Sequence, residues 1–367
     1  MSNPDAVLPV PAKESDVVPP VRFGILPDGR EANIFTISNR HGLQARISDY
    51  GATLVSLMVP DRHGEFADVT LGFDTFDGWL ENDPYFGSSV GRFGNRIRAG
   101  RFSLDGRDYT LATNNEPGGH PCHLHGGVRG FSKALWHARP VAANAVEFTH
   151  FSPDGDEGYP GNLHVKVTYT LTDDNELVWQ AGASSDAPTI INLVHHTYWN
   201  LSGAPATPAT GHQLTLHARH FLPISAGMIP TGELAPVSGT PMDFTTPHLV
   251  GDRIDADFEP LRLAGGYDHC WVLDQGDGVK SAAVLRDPAS GRTMEVLTDQ
   301  PGIQFYAGNF IADGLCGKNG IRYPRRAGLC LETQRFPDSP NQPAFPSCVL
   351  RPGECYRHVM IHRFSAS

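Results

Sequence analysis

The feature that most constrains the fold is a recurring pattern of short stretches in which apolar and polar residues alternate. Such stretches cover residues 34–38, 43–48 and 53–59, and others follow between residues 146 and 202. Alternation with a period of two is typical of strands that are buried on one face. The 39 glycines and 30 prolines are spread along the chain, which suits many turns between short strands. The sequence therefore predicts an all-β fold, built as a large antiparallel β-sandwich.

The domain organisation follows from the two ends of this pattern. Residues 1–20 hold five prolines and no continuous apolar segment, so we expect a mobile N-terminal leader rather than a secretory signal. Residues 21–367 show no repeat of fixed period and no second boundary, which predicts a single β-sandwich domain. The only helix that we expect is a single turn around residues 79–81.

Charge and cysteine usage exclude several classes of partner. A net charge of −11 and a pI of about 5.8 argue against a nucleic-acid surface, which needs clustered Lys and Arg. No apolar run reaches the roughly 18 residues of a membrane span.

The six cysteines form no Cys-x-x-Cys pair, and we expect buried free thiols and a reducing, cytoplasmic location. We expect a monomer or a weak homodimer.

A candidate general base lies in the stretch from Gly328 to Pro343. Residues 329–334 alternate as a strand, and three prolines from Pro337 onward end the strand pattern. Glu332 therefore lies on the less apolar face of a strand, just before a rigid loop. A carboxylate on such a firm backbone could act as a base, but a strand glutamate that faces solvent fits the spacing as well.

Two further charged residues are candidates for ligand binding. Arg96 lies in the glycine-rich stretch of residues 91–102, and its guanidinium could donate several hydrogen bonds to a ligand that approaches closely. Asp268 stands at the start of a predicted strand, beside two aromatic residues. The alternatives are a surface arginine in a loop and an aspartate that caps a turn.

The segment of residues 120–127 contains three histidines and one cysteine, a composition that raises the possibility of a metal site. A metal-binding jelly roll would also need a carboxylate a few residues later, but the next acidic residue is Glu147. We therefore predict no metal here. His125 precedes a Gly-Gly turn, so it is either a solvated loop histidine or a side chain positioned against a polar ligand.

The stretch of residues 191–201 alternates throughout and is predicted to be one strand. His196 shares a face with Asn192, Tyr198 and Asn200, which resembles the wall of a polar cleft, so His196 is the functional candidate. His195 lies on the apolar face and is predicted to be a core histidine.

Several short motifs then form a combined pattern: Asn95-Arg96, residues 124–127, residues 196–201, residues 266–269, and residues 331–334 with residues 341–343. Together and in this order they resemble the aldose 1-epimerase (galactose mutarotase) family over about residues 25–365. The resemblance implies a supersandwich of antiparallel strands. It also implies an isomerase that interconverts the α and β anomers of free aldohexoses, such as glucose and galactose, without a cofactor.

By motif position, the resemblance assigns the catalytic base to Glu332 and the catalytic acid to His196. It assigns binding of the sugar, the small-molecule partner of the protein, to Arg96, His125 and Asp268, with Asn95 and Gln304 as further binding residues. We expect His196 to act as an imidazolium that is lost at basic pH. The extra residues 119–122 depart from the family pattern and leave the path of this loop open.

Three other functions remain open at this point. A non-catalytic carbohydrate-binding sandwich would need only the arginine, the aspartate and aromatic side chains. A glycoside hydrolase would need two carboxylates, for which Asp268 and Glu332 are available. A phosphosugar epimerase of related fold would need additional cations around the sugar terminus.

Overall fold

The computed structural model of the chain describes residues 17–274, 276 and 278–367. Most of the predicted leader, residues 1–16, lies outside the described residues. These described residues contain two α-helices of six residues each, α1 at Phe76–Glu81 and α2 at Glu259–Ala264. Helix α1 corresponds to the predicted helical turn, whereas α2 was not predicted. No helix in the described part of the chain is long and apolar enough to cross a membrane.

Strands account for most of the regular structure. In chain order they are β1 (Val21–Ile25), β2 (Glu31–Ser38), β3 (Gln44–Ser48), β4 (Thr53–Pro60), β5 (Phe66–Asp68), β6 (Ser88–Val90), β7 (Arg96–Arg98), β8 (Arg101–Leu104), β9 (Arg107–Thr110), β10 (Cys122–Leu124), β11 (His137–Ala142), β12 (Ala145–Ser152), β13 (Leu163–Leu171), β14 (Glu176–Ser185), β15 (Thr189–Ile190), β16 (Val194–His196), β17 (Tyr198–Trp199), β18 (Gln213–Leu216), β19 (His220–Phe221), β20 (Ala235–Pro236), β21 (His248–Leu249), β22 (Asp268–Val272), β23 (Lys280–Arg286), β24 (Arg292–Thr298), β25 (Gly302–Tyr306), β26 (Leu315–Cys316), β27 (Arg322–Tyr323), β28 (Leu329–Gln334), β29 (Val349–Leu350) and β30 (Tyr356–Ala366).

Three antiparallel sheets organise these strands. A nine-stranded sheet has the order β11-β12-β13-β14-β30-β24-β23-β18-β21, a six-stranded sheet the order β17-β28-β25-β22-β19-β20, and a five-stranded sheet the order β1-β2-β3-β4-β5. Separate two-stranded sheets are also present, among them β10-β7 and β16-β6. The nine-stranded sheet joins strands from the middle and the C-terminal end of the chain.

The three sheets share one hydrophobic core. In β13 every second residue is buried, because one face of the nine-stranded sheet is covered and the other faces solvent. Phe35 of the five-stranded sheet, Trp179 of the nine-stranded sheet and Phe305 of the six-stranded sheet belong to the same buried cluster. The nine-stranded sheet therefore packs against the other two, which confirms the predicted all-β sandwich.

The turn between β8 and β9 follows its local sequence pattern, whereas the end of β5 does not. An Asp-Gly dipeptide is typical of a two-residue hairpin turn, and Asp105 and Gly106 form such a turn between β8 and β9 with positive φ angles of 49° and 78°. The sequence Val-Thr-Leu at residues 69–71 would also suit a strand, but these residues do not extend β5. β5 ends at Asp68 because its carboxylate accepts hydrogen bonds from the backbone N–H and the hydroxyl of Thr70, an alternative to ladder pairing.

The prediction of one continuous strand over residues 191–201 was wrong. β16 pairs with β6, whereas β17 pairs with β28 of the six-stranded sheet. The chain thus changes partner strands at Thr197, whose hydroxyl lies 3.1 Å from Nε2 of His195. Because of this change, His196 lies beside β28, although β16 forms no hydrogen-bonded ladder with that strand.

Candidate active site

Glu332 and His196 meet at the floor of a cleft. Glu332 lies in β28, opposite Gln304 of β25, and is only 2% exposed, so the solvent-facing alternative was wrong. Oε2 of Glu332 is 3.6 Å from Nε2 of His196, which is also buried. Two titratable groups from separate strands are therefore close enough to exchange a proton through a small shift or through a bound ligand.

Other side chains fix the His196 ring from three sides. Its Nδ1 is 3.8 Å from Sγ of Cys330, which lies on the same face of β28 as Glu332. The ring of Tyr198 stacks on the imidazole at a centroid distance of 5.3 Å, and His125 meets it edge-on at 4.9 Å. The imidazole is thus held in one orientation, with Nε2 directed towards Glu332.

A network of polar side chains lies beside this pair. Nη1 of Arg96 is 3.8 Å from Oδ2 of Asp268, and Nε2 of Gln304 donates a hydrogen bond of 2.6 Å to Oδ1 of the same carboxylate. Nε of Arg96 donates to Oδ1 of Asn115. Arg96 and Asp268 are each about 8% exposed, so both charges are largely removed from bulk solvent and fixed in place.

Two hydrogen bonds connect Asn95 and His125. The backbone N–H of Asn95 donates to Nδ1 of His125, and the N–H of His125 donates to the Asn95 carbonyl. Because Nδ1 accepts, a neutral His125 carries its proton on Nε2 and can donate from there. The following Gly126 has φ +84°, and a Cβ at this position would lie 1.7 Å from the Gly91 carbonyl oxygen. Only glycine fits, so the turn fixes His125.

The predicted site residues line one cavity. Its volume is about 520 Å³, ample for a monosaccharide. All seven residues singled out in the sequence contribute to its wall: Asn95, Arg96, His125, His196, Asp268, Gln304 and Glu332. The structure therefore brings together groups that are spread over more than two hundred positions of the chain.

The sequence interpretation missed several residues of the cavity wall. Tyr85 has a positive φ of 62°, and its ring packs against that of His125 at a tilt of 54° and a centroid distance of 4.7 Å. Tyr306 and the exposed Phe310 stack on each other further out. Tyr85 and Phe310 lie in loops with no periodic pattern, and only the aromatic character of residues 302–310 pointed in this direction.

Burial shifts the pKa values of the central groups. Burial raises the pKa of Glu332 well above its ordinary value; the nearby Asp268 adds to this effect and Arg96 opposes it. Burial lowers the pKa of His196 to about 4. These shifts disfavour the expected imidazolium. The proton of the pair is favoured on the carboxyl group, and the imidazole is neutral.

The flanking groups shift for the same reason. Burial raises the pKa of Asp268, against the lowering effects of Arg96 and of the hydrogen bond from Gln304. Burial also lowers the pKa of His125 well below its usual range, and the neighbouring His196 and Arg96 contribute in the same direction.

The histidines of residues 120–125 do not converge on a common point. Nδ1 of His123 is 2.7 Å from the Ala112 carbonyl oxygen, and its Nε2 is 2.7 Å from the Tyr159 hydroxyl, whereas His125 lines the cavity. Within the described residues, the group that could hold a metal ion is a different one: His196, Cys330 and Glu332, whose ligand atoms lie within 4.8 Å of one another.

Comparison with known proteins shows the family of the chain. The sequence profile of the family described as aldose 1-epimerase matches residues 33–363. The chain is 46% identical to a galactose mutarotase from Homo sapiens over 325 residues, covering 89% of this chain and 92% of that protein. It is 36% identical to an aldose 1-epimerase from Escherichia coli K12 over 345 residues, covering 93% and 98% respectively.

Solved structures agree as well. An aldose epimerase homologue from C. elegans superposes with a TM-score of 0.82 at 31% identity and covers 91% of this chain and 99% of its own. A galactose 1-epimerase from Lactobacillus acidophilus superposes with a TM-score of 0.81 at 28% identity, with coverage of 95% and 98%. With a matching family profile, relatives at 36–46% identity and the same fold, this chain belongs to the aldose 1-epimerase family.

Proposed function

We propose that the protein is an isomerase that interconverts the α and β anomers of free aldohexoses such as glucose and galactose. The relatives named above support the reaction type. The observation that carries the proposal is the buried pair of Glu332 and His196, 3.6 Å apart at the floor of a cavity that also presents Arg96, His125 and Asp268.

The reaction requires two proton transfers and no change of oxidation state. An anomer is a cyclic hemiacetal, and inversion at C1 proceeds by opening to the aldehyde, rotation about the C1–C2 bond and reclosure. Opening removes the proton of the C1 hydroxyl and adds a proton to the ring oxygen. Positioned acids and bases accelerate such transfers by about 10²–10⁴-fold each.

In this proposal Glu332 takes the C1 hydroxyl proton and His196 donates to the ring oxygen. Burial favours the neutral form of both groups, with a proton on the carboxyl group of Glu332 and a neutral imidazole at His196. The catalytic state has this proton on His196, and binding of the sugar with its hydroxyls against the pair would favour that arrangement. Reclosure on the opposite face reverses both transfers and restores the starting state.

The surrounding polar groups would hold the rest of the sugar. Arg96 and the neutral His125 are donors, Asp268 is an acceptor that two neighbours already orient, and Gln304 offers an amide from the adjacent strand. Asn95 supports this set by fixing His125. Because these groups are ordered before the sugar binds, little additional ordering is needed on binding.

The same geometry disfavours the enzymatic alternatives. Asp268 is engaged by Arg96 and Gln304, an arrangement that suits a binding residue better than the proton donor of a glycoside hydrolase. Among the described residues that line the cavity, Arg96 is the only lysine or arginine, and it is already paired. A phosphosugar would therefore meet no further cation.

The cellular setting and assembly are also part of the proposal. The six cysteines are all free in the structure, and four of them are buried, which is consistent with a reducing, cytoplasmic compartment. We further propose a single domain over residues 21–367 that acts as a monomer or weak homodimer, without nucleic-acid or membrane partners and without a cofactor.

Polarimetry on freshly dissolved α-D-glucose and α-D-galactose tests the function directly. The rotation should approach its equilibrium value faster with the protein than without it. A methyl α-galactoside has no free hemiacetal, so its rotation should remain constant. If the protein accelerated the mutarotation of neither sugar, the proposal would be contradicted. Release of reducing sugar from the glycoside would favour the hydrolase alternative.

A further inference from the structure

The thiol of Cys330 is a feature of the cleft that the acid–base reaction does not use. The side chain is buried and lies within hydrogen-bond distance of His196, 3.8 Å from Sγ to Nδ1. It shares the face of β28 with Glu332, two residues further along the strand. The imidazole therefore lies between the thiol, which is near its Nδ1, and the carboxylate, which is near its Nε2, and one potential ligand atom from each of the three residues lies within 4.8 Å of the others.

This donor set matches the preferences of zinc. Zinc binds thiolate, imidazole and carboxylate ligands at about 2.0–2.3 Å, and zinc sites that keep an open position have three protein ligands. The three ligand atoms lie within 4.8 Å of one another, so a common point exists about 2.8 Å from each of them. Inward movements of about 0.5–0.8 Å would bring all three to bonding distance.

The location of the group leaves the fourth coordination position accessible. His196 and Glu332 both line the cavity, which gives an ion a path from solvent and leaves room for a water ligand. Mg²⁺ and Ca²⁺ prefer oxygen ligands, whereas a thiol with an imidazole selects softer ions. The group of His196, Cys330 and Glu332 should therefore bind softer divalent cations in preference to Mg²⁺ and Ca²⁺.

We propose that His196, Cys330 and Glu332 form an inhibitory binding site for a thiophilic divalent cation of the Zn²⁺ class. Binding forms one bond from the ion to each of the three ligands and releases two protons to solvent, one from the thiol of Cys330 and one from the carboxyl group of Glu332, with no redox change. The ion occupies a lone pair of His196 and of Glu332, so neither can transfer a proton to or from a sugar. Cation and sugar therefore compete for the same site.

The test uses Cys316→Ser/Cys355→Ser as background, because these two cysteines are exposed and would bind added metal adventitiously. Zn²⁺ should bind this protein with a stoichiometry of one and inhibit mutarotation, and Mg²⁺ should do neither. Co²⁺, which is spectroscopically visible, should produce a thiolate-to-metal charge-transfer band in the near ultraviolet. Binding is measured by calorimetry and absorption, independently of activity.

Two further measurements locate the site. Cys330→Ala should weaken Zn²⁺ binding by at least about 10²-fold, a loss at the upper end of that seen for supporting residues of metal sites, and should abolish the cobalt band. Galactose at ten times its dissociation constant should raise the apparent dissociation constant of Zn²⁺ about elevenfold, because the two ligands exclude each other.

Several results would overturn the inference. Among them are no Zn²⁺ binding to the background protein, a cobalt band that persists in Cys330→Ala, and a zinc affinity that galactose does not change. The galactose measurement uses the background protein, so the inference stays testable if Cys330→Ala folds poorly. A protein that binds Zn²⁺ in this way but lacks mutarotase activity would contradict the proposed function alone.

Discussion

Replacement of Gly126 by alanine tests whether the tight turn after His125 positions the site. Gly126 has φ +84°, and an added Cβ would lie 1.7 Å from the Gly91 carbonyl oxygen and 2.9 Å from the Arg92 nitrogen. Both atoms belong to backbone, so neither can swing aside. The left-handed conformation costs alanine about 1–2 kcal/mol, and forced overpacking adds about 1–3 kcal/mol.

The expected cost of Gly126→Ala is therefore about 2–5 kcal/mol of unfolding free energy. Gly119 provides a matched control in the same loop: its φ is +78°, but no atom lies within 4 Å of an added Cβ. Gly119→Ala should lose only the conformational part, about 1–2 kcal/mol. Urea unfolding measures both variants, with activity as a second readout.

Activity separates the two variants further. A shift of the Gly126 turn displaces His125, which lines the cavity and contacts His196. The value of kcat/KM should therefore fall in Gly126→Ala and remain unchanged in Gly119→Ala. Equal stability and equal activity in the two variants would refute the argument that backbone contact at this turn fixes the site.

Three further predictions follow from the same structure. Arg96→Ala and Asp268→Asn should raise KM for galactose more than they lower kcat, because both side chains bind rather than transfer protons; wild-type KM values in both would remove them from the site. Prolonged EDTA treatment should leave the mutarotation rate intact, and a loss that zinc restores would reveal a catalytic metal. Burial lowers the pKa of His362 to about 3, so the unfolded state takes up a proton below its ordinary value of about 6.5 while the folded state does not. Stability should therefore fall with decreasing pH between about 6 and 4, by about 1.4 kcal/mol per pH unit for this group, and urea unfolding of His362→Phe should show a correspondingly shallower dependence.

The sequence predicted the composition of the site better than its geometry. Period-two alternation placed Glu332 and Cys330 on one face of a strand, and β28 confirms this. Alternation cannot show that the second face is also covered. Glu332 is buried because loops from distant parts of the chain, including residues 83–85 and 310–312, line the cavity above it.

The proximity of His196 to Glu332 also could not be predicted from the local sequence pattern. It depends on the change of sheets at Thr197, which the uninterrupted alternation of residues 191–201 concealed. The same limit applies to protonation: the residue types suggested an acid and a base, whereas burial, which local sequence does not reveal, favours a neutral pair. The contact between Cys330 and His196 had no signal in the sequence.

The central claim is that Glu332 and His196 together carry the proton transfers, and Glu332→Gln tests it most directly. Glutamine keeps the shape of the side chain and removes the base, whereas Glu295→Gln, in an exposed ion pair with Arg363, is a matched control. The measurement is the anomerisation rate of α-D-galactose by polarimetry, corrected for the spontaneous rate, for both variants, for His196→Asn and for the double variant Glu332→Gln/His196→Asn.

We predict a loss of at least about 10²-fold for Glu332→Gln, about 2.7 kcal/mol of transition-state stabilisation, in a protein whose circular dichroism is unchanged. His196→Asn should lose a similar factor, and the double variant should lose much less than the product of the two single losses, because both groups serve one step. Glu295→Gln should retain wild-type activity. If Glu332→Gln kept more than about a tenth of the wild-type rate, far above the range for a lost general base, the assignment of the acid–base pair would be wrong.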